Sequence, residues 1–101
     1  MSTTYDFGNG PVPAHRHKNH DGSLGGWVAD TATVSPTAWV SGYAKVFGNA
    51  KVFGNAVVFD SAQVSGYAQV FGDAWVSGNI EVFGNAKMSD DVWWSGDAVL
   101  T

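Results

Sequence analysis

From Val28 to Leu100 the chain repeats every six residues. Val28, Val34, Val40, Val46, Val52, Val58, Val64, Val70, Val76, Val82, Met88, Trp94 and Leu100 form one column of large apolar residues. A second column, four residues later, is Ala at every position from Ala32 to Ala98 except Ile80 and Val92. Such a repeat constrains the fold more tightly than local propensity, because one short unit cannot bury its apolar side alone and must stack on its neighbours. A helix would space apolar residues three and four apart. A six-residue period, with a core position flanked by outward ones, instead reads as a short strand followed by a tight turn. The third position of each unit agrees. It is Gly except at Asp30, Asp60, Asp90 and Pro36, and Gly followed by Asn or Asp suits a turn that needs positive φ.

Two segments follow. Residues 1–26 are irregular and rich in Gly, Pro, His and Asn, which reads as an N-terminal cap or leader, and residues 27–101 carry the repeat without an insertion. The unit Val-x-Gly-x-Ala-x recurs intact in Val46-Phe47-Gly48-Asn49-Ala50-Lys51 and Val52-Phe53-Gly54-Asn55-Ala56-Val57. It resembles the hexapeptide-repeat, left-handed parallel β-helix proteins. That resemblance implies an all-β fold in which three units make one triangular coil of eighteen residues. Residues 27–101 would then form a prism of about four coils, on the order of 20 Å tall at roughly 4.8 Å per stacked strand. The left hand comes from the resemblance alone, since parallel crossovers are generally right-handed. Gly stands one place later than in the commoner family pattern, as it does in YdcK-like proteins and bacteriophage proteins with Val-x-Gly-Asn-Ala repeats. Gly25-Gly26-Trp27-Val28 resembles the start of the YdcK-like repeat, and Pro13-Ala14-His15-Arg16-His17 is similar to the leader of the bacteriophage members.

Sorting the sequence by eighteen distributes the outward residues over three faces that differ. One displays Trp39 with Ser41, Val57 with Phe59, Trp75 with Ser77, and Trp93 with Ser95, and it carries no charge. The other two carry Lys45 and Glu81, and Lys51 and Lys87, with Gln between them. A contiguous exposed apolar patch normally marks an interface, so Trp39, Val57, Phe59, Trp75 and Trp93 are the expected contact between copies of the chain. The family resemblance implies a homotrimer. Met88, Trp94 and Leu100 are bulkier than the Val they replace and are expected to close the open end, where the last coil has no neighbour. Tyr5, Phe7 and Trp27 are expected to pack in a cap over the first coil, and Tyr43 and Tyr67 to cover turns.

The composition narrows the function. With no Cys there can be no disulfide or thiolate metal site. The net charge is −4 and the second half is acidic, which disfavours a nucleic-acid groove built from clustered Lys and Arg. No apolar run approaches membrane-spanning length and the N-terminus does not read as a signal peptide, so no membrane partner is expected. The expected location is the cytoplasm of the producing cell or a phage particle.

Chemistry concentrates in the leader. His15, His17 and His20, beside Arg16, could supply three nitrogen ligands of the type zinc accepts, because His15 and His17 of an extended segment point the same way. The same side chains could equally be cap residues bonding to carbonyls. No cofactor is otherwise expected. Acyltransferases and metal-dependent carbonic anhydrases of the resembling family use His from coils or inserted loops. This repeat has neither a coil His nor an insertion, so no catalytic residue carries over and an enzyme is not expected. Ice binding fails for want of a Thr ladder. The remaining expectation is a small trimeric structural or binding module, phage-related by resemblance, with a host or virion protein as a possible partner. The alternative is a phage-encoded anti-defence inhibitor that binds a host protein or sequesters a nucleotide-like ligand. A degenerate acyltransferase-type or metal-dependent enzyme stands behind both.

Overall fold

The computed structural model describes residues 4–8, 10–19, 21–88, 93–94 and 99–100. Every regular element in it is a strand. Among the described residues no helix is long and apolar enough to cross a membrane. The cap contributes β1 (Thr4–Asp6) and β2 (Pro11–Lys18), which lead into β3 (Leu24–Ala29). Two-residue strands follow at six-residue intervals. They are β4 (Thr33–Val34), β5 (Trp39–Val40), β6 (Lys45–Val46), β7 (Lys51–Val52), β8 (Val57–Val58), β9 (Gln63–Val64), β10 (Gln69–Val70), β11 (Trp75–Val76), β12 (Glu81–Val82), β13 (Lys87–Met88), β14 (Trp93–Trp94) and β15 (Val99–Leu100).

From β3 to β12 each strand pairs in parallel with the third strand after it, which makes a three-faced parallel β-solenoid. The stacks are β3-β6-β9-β12-β15, β4-β7-β10-β13 and β5-β8-β11-β14. Lys45 lies opposite Gln63, and Gln63 opposite Glu81, an offset of eighteen residues at each step. About three turns of the solenoid are described continuously. The about four expected from the repeat would need residues 89–101, most of which lie outside the described residues.

The core consists of the two columns. Val28, Val40, Val46, Val52, Val58, Val64, Val70, Val76 and Val82 are fully buried, with Ala between them and Ile80 taking one Ala place. A side chain that stays branched at Cβ and short fills a narrow coil without splaying it. Each such Val contributes about 1.5–3 kcal/mol on removal from water. Strand and corner backbones bond from coil to coil: Lys45 N–H donates to Ala62 O at 3.0 Å, Phe47 N–H to Val64 O at 2.9 Å and Asn49 N–H to Gly66 O at 2.8 Å.

The corners repeat one geometry. Ala50 N–H donates back to Phe47 O at 3.4 Å, enclosing Gly48 and Asn49, and Gly48 has φ +67°. Positive φ at the first central residue alone is the sign pattern of a type II′ turn, which favours Gly there. Asp60 holds the equivalent place at φ +59° and is the one non-Gly residue with positive φ among those described.

The cap is an antiparallel hairpin that continues one face of the solenoid. β1 pairs with β2 and β2 with β3, while β3 also pairs in parallel with β6, giving a seven-stranded mixed sheet. β3 pairs with β2 from Leu24 to Ala29, and its Trp27 and Val28 pair on the other side with Lys45 and Val46 of β6, so cap and repeat share this strand.

Candidate functional site

The uncharged face is assembled as its spacing requires. Trp39 lies opposite Val57, Val57 opposite Trp75, and Trp75 opposite Trp93 in the β5-β8-β11-β14 stack. The rings cover one another: Phe59 meets Trp75 edge to face with centroids 5.5 Å apart. Consequently Trp39, Val57, Phe59 and Trp75 are half-buried within a single chain, and Ser77 beside Trp75 is buried. The most exposed rings among the described residues are elsewhere. Tyr43 is 80 % exposed and Tyr67 65 %. The side chain of Trp93 lies outside the described residues, as do those of Trp94 and Leu100 at the far end; Met88, in the terminal strand of its own stack, is buried.

The leader histidines do not share a direction. A bulge in the pairing of β2 with β3, between Arg16 and Lys18, breaks the alternation of the extended segment. His15 turns outward, where its Nδ1 lies 2.8 Å from Asp30 Oδ1. His17 turns inward, and its Nε2 donates to Ala38 O at 2.9 Å. Burial holds the His17 imidazole below its ordinary value; the Ala38 bond opposes this and neighbouring His15 adds to it. Two ring nitrogens are therefore already engaged with protein oxygens. Among the described residues no group of three His, Asp or Glu is placed to hold a metal, and His20 lies outside them.

Asn19, which carries no signal in the sequence, is buried beside His17. Its Oδ1 accepts the Val40 N–H at 3.0 Å, and its Nδ2 donates to Val40 O at 3.3 Å. Asn19 and His17 together bond the edge of β5 that no strand covers. Tyr5 stacks on Trp27 with centroids 4.8 Å apart, and Phe7 stacks on Phe47 at the same distance, so the expected packing of the cap aromatics is present.

Two clefts flank the hairpin. One, of about 340 Å³, is lined mainly by apolar groups, including Phe7, Val12, Pro13, Ala29 and Phe47. The other, of about 330 Å³, lies between the cap and the corner at Gly42–Ala44 and contains Arg16 and Lys45 together with Tyr5, Trp27 and Tyr43. Arg16 was singled out in the sequence, whereas the approach of Lys45 and Tyr43 depends on how the hairpin folds back. No known protein family, curated protein or solved structure matches the chain.

Proposed function

We propose that this protein is a non-enzymatic, self-associating β-helix of the left-handed hexapeptide type, used as a rigid structural or binding module. Three copies meet through the uncharged face. The observation that carries the reading is the register Trp39–Val57–Trp75, which stacks large apolar side chains on one face of the solenoid. The neighbouring faces carry Lys45, Gln63 and Glu81, and Lys51, Gln69 and Lys87. A face without charge, bounded by faces that have it, loses no ion solvation on association and removes aromatic surface from water. A closed trimer also leaves no copy with an unmatched interface, which an open chain of contacts would. The reading without catalysis rests on the coils themselves, whose outward positions carry no His. By its likeness to bacteriophage repeat proteins, such a module belongs in a phage particle or in the cytoplasm of the cell producing it.

Light scattering and native mass spectrometry of the purified chain test this. The expected mass is three times the 10.7 kDa chain, and Trp75→Glu and Val57→Glu should each reduce it to one chain while retaining a cooperative melt. A parent that is already monomeric, or two variants of unchanged mass, would overturn it.

A further inference from the structure

The cleft between the cap and the Gly42–Ala44 corner joins two uncompensated cations to exposed aromatic surface. Its cap wall is Arg16 of β2 with Tyr5 of β1 and Trp27 of β3, and its coil wall is Tyr43 with Lys45 of β6. The chain has five Lys and Arg and a net charge of −4, yet two of those cations line this one cleft and no carboxylate does. Among the described residues neither pairs with Asp or Glu.

Both cations are held by uncharged groups. Arg16 Nε donates to Gly25 O at 2.8 Å, which orients the guanidinium and leaves its positive charge unneutralised. Lys45 Nζ stands 5.6 Å from the centroid of Tyr5, a ring fixed in turn by its stack on Trp27. Tyr43 is 80 % exposed at the mouth. A ring left in water there offers a stacking platform that accepts any planar base. The volume of about 330 Å³ falls at the lower end of small-molecule sites, roughly 300–1,000 Å³.

We propose that this cleft binds a nucleoside monophosphate, with the phosphate between Arg16 and Lys45 and the base against Tyr43. Every residue of the site comes from one chain. Binding therefore does not depend on self-association, and either reading can fail without the other.

Calorimetric titration of the full chain with AMP, inorganic phosphate and adenosine as separate probes tests the assignment. AMP should bind saturably at one per chain, about tenfold or more tighter than either fragment, and more weakly as salt is added. Lys45→Gln and Tyr43→Ala should each weaken AMP by about tenfold, whereas Lys51→Gln, on another face, should leave it unchanged. AMP binding no tighter than phosphate, or AMP binding unaltered in both Lys45→Gln and Tyr43→Ala, would overturn the proposal. Melting curves of the two variants, whose altered side chains face the cleft and solvent, establish that the comparison is between folded proteins.

Discussion

Asn19 bonds both backbone groups of Val40, accepting its N–H at 3.0 Å and donating to its carbonyl at 3.3 Å. Val40 lies in β5, which pairs with β8 on one side only. The amide thus stands in for one residue of a strand that is not there, and does so twenty-one positions away in sequence. An uncovered strand edge invites pairing with another chain, so this bond serves solubility as well as stability.

Replacing Asn19 with Leu keeps a side chain of similar size but strands a buried N–H and a buried C=O. Each costs about 1–3 kcal/mol when unpaired, and the expected loss is about 3 kcal/mol. Urea unfolding should show a lower midpoint with an unchanged slope. A midpoint equal to that of the parent would show that water reaches the β5 edge and that the amide is dispensable.

His17 makes the same edge sensitive to pH. The unfolded chain takes up the imidazole proton near 6.5, whereas burial in the fold moves that uptake to lower pH. Between those two values the unfolded state binds more protons, so stability falls as pH falls. The His17 contribution is complete above about pH 6.5 and is lost as the pH drops through the folded value. His17→Gln retains a donor for the Ala38 carbonyl without a titrating group. Its melting temperature should therefore fall less than the parent's between about pH 7.5 and about pH 5. Equal falls would assign the acid sensitivity to other groups.

The sequence discloses the solenoid because repetition reports on neighbours. Val46 pairs with Val64 for the same reason that Val64 pairs with Val82, and folding the chain by eighteen recovers the ladder, the buried columns and the uncharged face. The cap has no such redundancy. Asn19 looks like any loop Asn until the bulge in β2 and the turn at Asp21–Ser23 bring it under Val40. The same bulge separates His15 from His17, which alternation alone would place together. The cleft was half legible: Arg16 stands out in the leader, but Lys45 and Tyr43 read as ordinary outward positions of the repeat until β2 lies across β3. Half-burial of Trp39 and Trp75 was equally hidden, because a column says which side chains stack and not how far the rings fold onto one another.

Gly48 tests the packing of the corners. At φ +67° a side chain is strained there, and a Cβ would lie 2.9 Å from the amide nitrogen of Gly66 in the next coil. That nitrogen is backbone and cannot move without disturbing the Asn49 N–H bond to Gly66 O. Gly48→Ala should cost about 2 kcal/mol or more, combining left-handed strain with a steric clash. Denaturant unfolding measures it, and a cost below about 0.5 kcal/mol would mean that the coils can part at this corner.

Asp60 separates the conformational demand of a corner from the demand for a missing side chain. It adopts φ +59° in the stack that contains Gly42 and Gly78, and its Oδ2 accepts the Gly78 N–H at 3.3 Å. Asp and Asn tolerate the left-handed region because a short polar side chain can bond locally, whereas a β-branched residue does not. Asp60→Asn should therefore lie within about 0.5 kcal/mol of the parent. Asp60→Val, which loses both the acceptor and the tolerance, should be destabilised by about 2 kcal/mol. Asp60→Gly removes the strain and the exposed bond together, two terms of about 1 kcal/mol that oppose each other, and should lie near the parent value, alongside Asn and above Val. Thermal melts of the three variants give the order. If Val proved as stable as Asn, the corner would owe its shape to the stacked coils on either side, and Gly would be required at these positions for close approach alone.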